Sequence, residues 1–143
     1  MRPSSIVRFD RLYLASIAVG LIGNILDWPV TMARLAENPD TAVLGSGAVA
    51  AVGGMIAVGV AIALLLWFFI ARRASGVARW ILVAFTVFAV GSLFVGFSSG
   101  AVILDGGGIV RIVAVALQTA AVFFLFRPDA AAWFAADVGE DEA

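Results

Sequence analysis

The stretch Ala42–Ala71, AVLGSGAVAAVGGMIAVGVAIALLLWFFIA, decides the fold, because it holds no charged residue and runs straight into Arg72-Arg73. As a helix rising 1.5 Å per residue it would be about 45 Å long, more than the roughly 30 Å of hydrocarbon in a bilayer demands. Three further apolar runs accompany it, Leu12–Leu26, Trp80–Leu104 and Ile112–Phe126, and the segments between them hold nearly every charge. A water-soluble fold built from this material would expose large apolar patches. With 63% hydrophobic and 13% charged residues in a chain of 143, four membrane helices leave no length for a soluble domain.

The sequence therefore predicts an all-α polytopic membrane protein. Helices over about 9–28, 42–71, 79–104 and 110–127 form two helical hairpins in one transmembrane domain spanning 1–136, and 137–143 is an acidic flexible tail. Met1 to Asp27 has a positive start and an apolar middle, yet Gly23-Asn24-Ile25-Leu26-Asp27-Trp28 offers no small-x-small cleavage site, so it reads as a retained first helix. Arg2, Arg8, Arg11, Arg72, Arg73, Arg79 and Arg127 fall on one side of this arrangement, against Arg34 and Arg111 on the other. Arginine bias then puts both termini in the cytoplasm.

Interface anchors follow from the same map. Arg8 and Arg11 snorkel from the first helix, and Trp67, Arg72, Arg73, Arg79 and Trp80 surround the turn that closes a hairpin over Ala71–Arg79. Trp28 anchors the far side, with Arg127 and Trp133 near the C-terminus. Asp105-Gly106-Gly107-Gly108 reads as a breaker, and Arg127-Pro128 ends the fourth helix because the residue before proline is pushed out of the helical region.

Absent residue types bound the chemistry. With no cysteine there is no disulfide, thiolate metal site or redox thiol, and with no histidine the usual haem axial ligand and near-neutral acid–base group are gone. No charge lies near a membrane centre, which argues against a proton-coupled pump. The glycine triplet is not followed by Gly-Lys-Ser/Thr, so a phosphate loop is not indicated.

Several features carry interaction rather than reaction. Gly47, Ala51, Gly54 and Gly59 give the second helix small-xxx-small pairs, which let helix backbones approach in lipid, either within the chain or against a partner. Gln118, mid-way along the fourth helix, needs an interhelical hydrogen-bond partner. Asn24, Asp27, Asp105 and Arg111 are expected at similar depth, as a polar cluster or a salt bridge locking the hairpins. In the connection Asp27–Pro39, Trp28, Met32, Leu35 and Ala36 share one helical face, so a short surface helix N-capped by Asp27 and stopped before Pro39 is predicted. It serves as a lid, as a docking surface, or simply hides its apolar side in the headgroups. Ala130–Phe134 forms another short helix, resting on the membrane or packed beneath the bundle.

Ile25-Leu26-Asp27 is echoed by Ile103-Leu104-Asp105, and Phe68–Arg72 by Phe123–Arg127; convergence at helix ends explains both without a duplicated hairpin. The stretches Arg8–Gly20 and Phe126–Phe134 together resemble the opening and closing of small four-helix inner-membrane proteins of bacteria. That resemblance implies a bacterial inner-membrane location and topology, and it brings no activity, cofactor or catalytic residue. The expected function is a non-catalytic accessory or assembly subunit of a larger membrane complex. Its partners are membrane lipids and either another membrane protein or further copies of itself, without nucleic acid, metal or cofactor. The alternative is an oligomeric transporter or channel for a small solute, with Asn24, Ser92, Gln118 and Thr119 lining the pore. A lipid-modifying enzyme ranks third, because the exposed acids form no catalytic constellation.

Overall fold

The computed structural model describes residues 3–100 and 105–138, and every regular element among them is a helix. Four are long and apolar enough to cross a membrane: α1 (Ser4–Leu26), α4 (Ser46–Arg73), α5 (Gly76–Ser98) and α6 (Gly106–Phe124). Three shorter ones, α2 (Trp28–Glu37), α3 (Pro39–Ala42) and α7 (Pro128–Val138), lie outside the spans. The chain is thus a multi-pass membrane protein by the length and composition of its helices. Residues 139–143 of the expected acidic tail, and residues 101–104 of the expected third helix, lie outside the described residues.

Helix ends differ from the hydropathy boundaries for local reasons. α1 starts at Ser4 rather than near Phe9, because a polar first turn is as helical as an apolar one when its free amides find acceptors. Its N-cap is Pro3, which has no capping side chain; the Ser5 N–H donates instead to Asp129 Oδ2 at 3.1 Å, from the first turn of α7. α4 begins at Ser46, after the bend at Gly45 (φ 51°), and closes at Ala74 in the left-handed region (φ 48°). Arg72 and Arg73 sit in its last turn, where cations complement the helix dipole, and Ser75 then caps α5 by accepting the Ala78 N–H at 3.3 Å.

α6 corrects one expectation. Gly106, Gly107 and Gly108 are its first turn, not a loop, and the glycines with positive φ are Gly45 and Gly100 among the described residues. Asp105 makes this possible as an N-cap whose carboxylate accepts the Gly108 N–H at 2.8 Å. Asp27, expected to cap α2, makes no such bond: its backbone is helical (φ −79°, ψ −7°), so α1 passes almost directly into α2.

The most extensive helix contact joins α1 to α6. On α1 the stripe Ile6, Phe9, Tyr13, Ser16, Gly20, Gly23, Asp27 alternates steps of three and four, and all seven are buried or half-buried. On α6 the stripe Gly107, Val110, Ala114, Leu117, Ala121 does the same. That is the heptad spacing of two helices packed at a shallow angle, and the glycines and alanines in the two stripes let the backbones come close. The pair is antiparallel: Asp27 abuts Gly107, a Cβ on Gly23 would stand 3.4 Å from Val110 Cγ1, and Arg8 stacks on Phe124. Thinner contacts of α1 with α4, α4 with α5 and α5 with α6 close the ring.

Packing is concentrated at the arginine-rich end. There Ile6, Phe9, Ile70, Ala71, Ala121, Leu125 and Ala130 are fully buried and α7 closes the bundle from below. Water and headgroups reach this level, so burial still gains hydrophobic free energy, whereas mid-membrane contacts rest on van der Waals packing alone. Towards the opposite end the helices part. A recess of about 450 Å³ opens between α1 and α4, lined by Leu21, Ile25, Trp28, Gly53 and Ile56.

Candidate functional site

Three places can do more than hold the fold. The first is the outward face of α4, whose most apolar window is 6% buried within the chain against 22% for α1. Gly47, Ala51 and Gly54 lie on that face and are exposed, with no atom within 4 Å of a Cβ built on either glycine. No other helix among the described residues covers these three positions. Gly59 does not share their face: twelve residues beyond Gly47 it is turned by about a third of a turn, and it lines recesses on both sides, towards α1 and towards α5. The side of α4 that meets α1 carries Gly53, Ile56, Val60 and Ala63 instead.

The second place is a polar recess of about 260 Å³ between α1 and α6 at the end remote from the main arginine cluster. Asn24, Asp27 and Arg111 line it with Gly20, Gly23, Ala114 and Val115. The expected cluster therefore forms in part, without Asp105, which is occupied as the α6 cap. The expected salt bridge does not: among the described residues neither Asp27 nor Arg111 has an ion-pair or hydrogen-bond partner for its side chain. The Asp27 carboxylate fills the space in which a side chain on Gly107 would stand.

The third is the arginine-rich end, where guanidinium groups lie on aromatic rings. Arg79 sits over Phe134 at 4.7 Å, Phe126 at 5.1 Å and Trp80 at 5.8 Å, and its Nε is enclosed without a hydrogen-bond partner. Phe124 lies between Arg8 and Arg127, each at 5.7 Å. Arg11, Arg72 and Arg73 are exposed, as is Trp80. Trp67 and Trp133, expected in the interfacial belt, are half-buried: the Trp67 indole donates to Asp10 Oδ1 at 2.8 Å, and the Trp133 indole nitrogen is enclosed without a partner. α1 and α7 meet at this layer, tied by the Ser5–Asp129 hydrogen bond. Asp129 is held below the usual carboxylate range, first by the Ser5 backbone N–H that it accepts.

The remaining sequence candidates fall apart in space. Gln118 donates from Nε2 to Thr86 Oγ1 at 3.0 Å, and Thr86 in turn donates to the Leu82 carbonyl at 2.8 Å, so the amide is used in joining α6 to α5. Thr119 is exposed and donates to the Val115 carbonyl of its own helix, and Asn24 lies at the far end of α1. Met32 and Leu35 of α2 are half-buried with Trp28, while Arg34 and Glu37 are exposed, as its amphipathic spacing requires; Ala36, expected on the same face, is exposed. Among the described residues no group of three carboxylates could hold a metal ion. The α1–α6 stripe was missed by hydropathy, although its steps of three and four were visible once small and polar residues are counted with large apolar ones.

No family model matches the chain, and no curated protein and no solved structure matches it either.

Proposed function

We propose that this protein is a non-catalytic inner-membrane subunit that docks onto a transmembrane helix of a partner complex, or of a second copy, through the outward face of α4. The observation that carries the reading is the small-residue face at Gly47, Ala51 and Gly54, exposed along a helix that the chain itself scarcely covers. In lipid an apolar face gains nothing by leaving the tails for another apolar face, so close backbone approach across small residues is the available attraction. A span this long with Gly47, Ala51 and Gly54 turned outward is suited to a partner helix. Both termini are assigned to the cytoplasm, on the arginine distribution together with the bond that ties α1 to α7 at the arginine-rich end.

Extraction into lipid nanodiscs followed by mass measurement of the intact particles tests the proposal. A stoichiometric complex is expected, and Gly54→Leu should release the chain from it while far-UV circular dichroism is unchanged. Recovery of wild type only as a monomer would overturn it. Solute flux by the purified chain in vesicles, abolished by Gln118→Leu, would support the pore instead.

A further inference from the structure

We propose that the recess between α1 and α6 binds the headgroup of a phosphoethanolamine lipid, with the ammonium on Asp27 and the phosphodiester on Arg111. Three polar side chains line this one space, Asn24, Asp27 and Arg111, and none has a hydrogen-bond or ion-pair partner among the described residues. Asp27 stands one residue past the end of the α1 span, Asn24 lies in the last turn of that span and Arg111 in the second turn of α6, so the three sit at span ends, near headgroup depth. A carboxylate and a guanidinium that line the same recess without pairing offer complementary charges to a ligand carrying both signs. The glycines and Ala114 of the wall keep the space open, and Gly107 lets the carboxylate sit against the first turn of α6.

Shape supports a lipid rather than a soluble zwitterion. Gly20 and Asn24 line both the polar recess and a neighbouring, largely apolar recess of about 240 Å³ between α1 and α4, beside Ile17, Leu21 and Ile56. An acyl chain laid there leaves its headgroup at Asn24. The 260 Å³ of the polar part holds roughly nine water-sized groups, comparable with the non-hydrogen atoms of phosphoethanolamine. A quaternary choline cannot donate hydrogen bonds to Asp27 or Asn24, and an uncharged glycerol leaves Asp27 unmatched. The site is separate from the outward face of α4, so either assignment can fail without the other.

The test is lipid retention. The full chain is reconstituted in vesicles of equal phosphatidylethanolamine, phosphatidylcholine and phosphatidylglycerol, extracted in mild detergent, and its retained lipid is quantified by mass spectrometry. Phosphatidylethanolamine should be enriched about fivefold over each of the others, the factor that one favourable ion pair supplies. Asp27→Asn should bring that ratio close to one, whereas Arg111→Gln, which removes the partner of a phosphodiester common to the three lipids, should lower the retention of all of them. Equal retention of the three lipids by wild type, an undiminished preference in Asp27→Asn, or unchanged total retention in Arg111→Gln would overturn the assignment. A measurement on wild type alone guards against misfolded variants: Arg111 should be protected from phenylglyoxal in phosphatidylethanolamine vesicles and not in phosphatidylcholine vesicles, and equal modification counts against the site. Displacement of the lipid by water-soluble glycerophosphoethanolamine at equal concentration would show a soluble ligand and refute the lipid.

Discussion

Substituting Gly107 by valine should separate α1 from α6 at one point and leave the rest of the bundle alone. A Cβ at this position overlaps the Asp27 carboxylate, and Asp27 Cγ stands 2.7 Å from it, so turning the carboxylate about its last bond gives no relief. Asp27 must change its first side-chain torsion or the helices must part, while its backbone is held because its carbonyl accepts both the N–H and the hydroxyl of Thr31. Overpacking of this kind costs about 1–3 kcal/mol, and replacing glycine in a helix recovers only a few tenths of that with a β-branched residue. The net expectation is a loss of about 1–2 kcal/mol. The assay is equilibrium unfolding in mixed micelles, followed by circular dichroism and tryptophan fluorescence. Asp27→Gly should restore most of the loss in the double variant, and Gly91→Val in α5, where a Cβ meets nothing within 4 Å, is the control. If Gly107→Val unfolds together with the control, or if Asp27→Gly fails to rescue it, the close approach of α1 and α6 is wrong.

The Ser5–Asp129 bond predicts an acid limb. Because the native Asp129 pKa is depressed, its stabilisation is complete above the unfolded value of about 3.9 and is lost as pH falls through the lower native one. Melting temperatures from pH 7 to pH 3 should therefore show a contribution that disappears in Asp129→Asn, whose amide accepts from Ser5 without titrating. Arg79→Lys keeps the charge and loses the flat contact with the rings, so a cost of about 1 kcal/mol is expected, smaller than that of Arg79→Met. Gln118→Leu should cost only about 0.6 kcal/mol, because one interhelical hydrogen bond to Thr86 is lost and a helix-favouring residue gained. Thermal unfolding in one detergent measures both.

Hydropathy made the four spans legible because a bilayer selects for runs of length and oiliness, and α2 was legible because Trp28, Met32 and Leu35 recur at helical spacing between Asp27 and Pro39. The same reasoning could not choose which span meets which. In lipid the large apolar residues are spread around each helix, as the exposed Met55, Phe88 and Phe94 illustrate, so they do not mark the seam. The seam is marked by the residues that are small or polar, Ser16, Gly20, Gly23 and Asp27 against Gly107, Ala114 and Ala121. A glycine's type does not state whether the space beside it is empty, as at Gly54, or filled, as at Gly107. The polar recess was legible as a set of residues at one depth, but whether Asp27 and Arg111 pair depends on side-chain placement that spacing does not encode.

That Asp129 caps α1 across 124 residues has a consequence for biogenesis. α1 finds its main mate, α6, and the acceptor for its own free amide only after α4 and α5 have left the ribosome. Until then α1 waits in the membrane with its seam open. A chain stopped before Gly106 would carry that seam as a standing target for quality-control proteases, so such a stop should shorten the lifetime of α1.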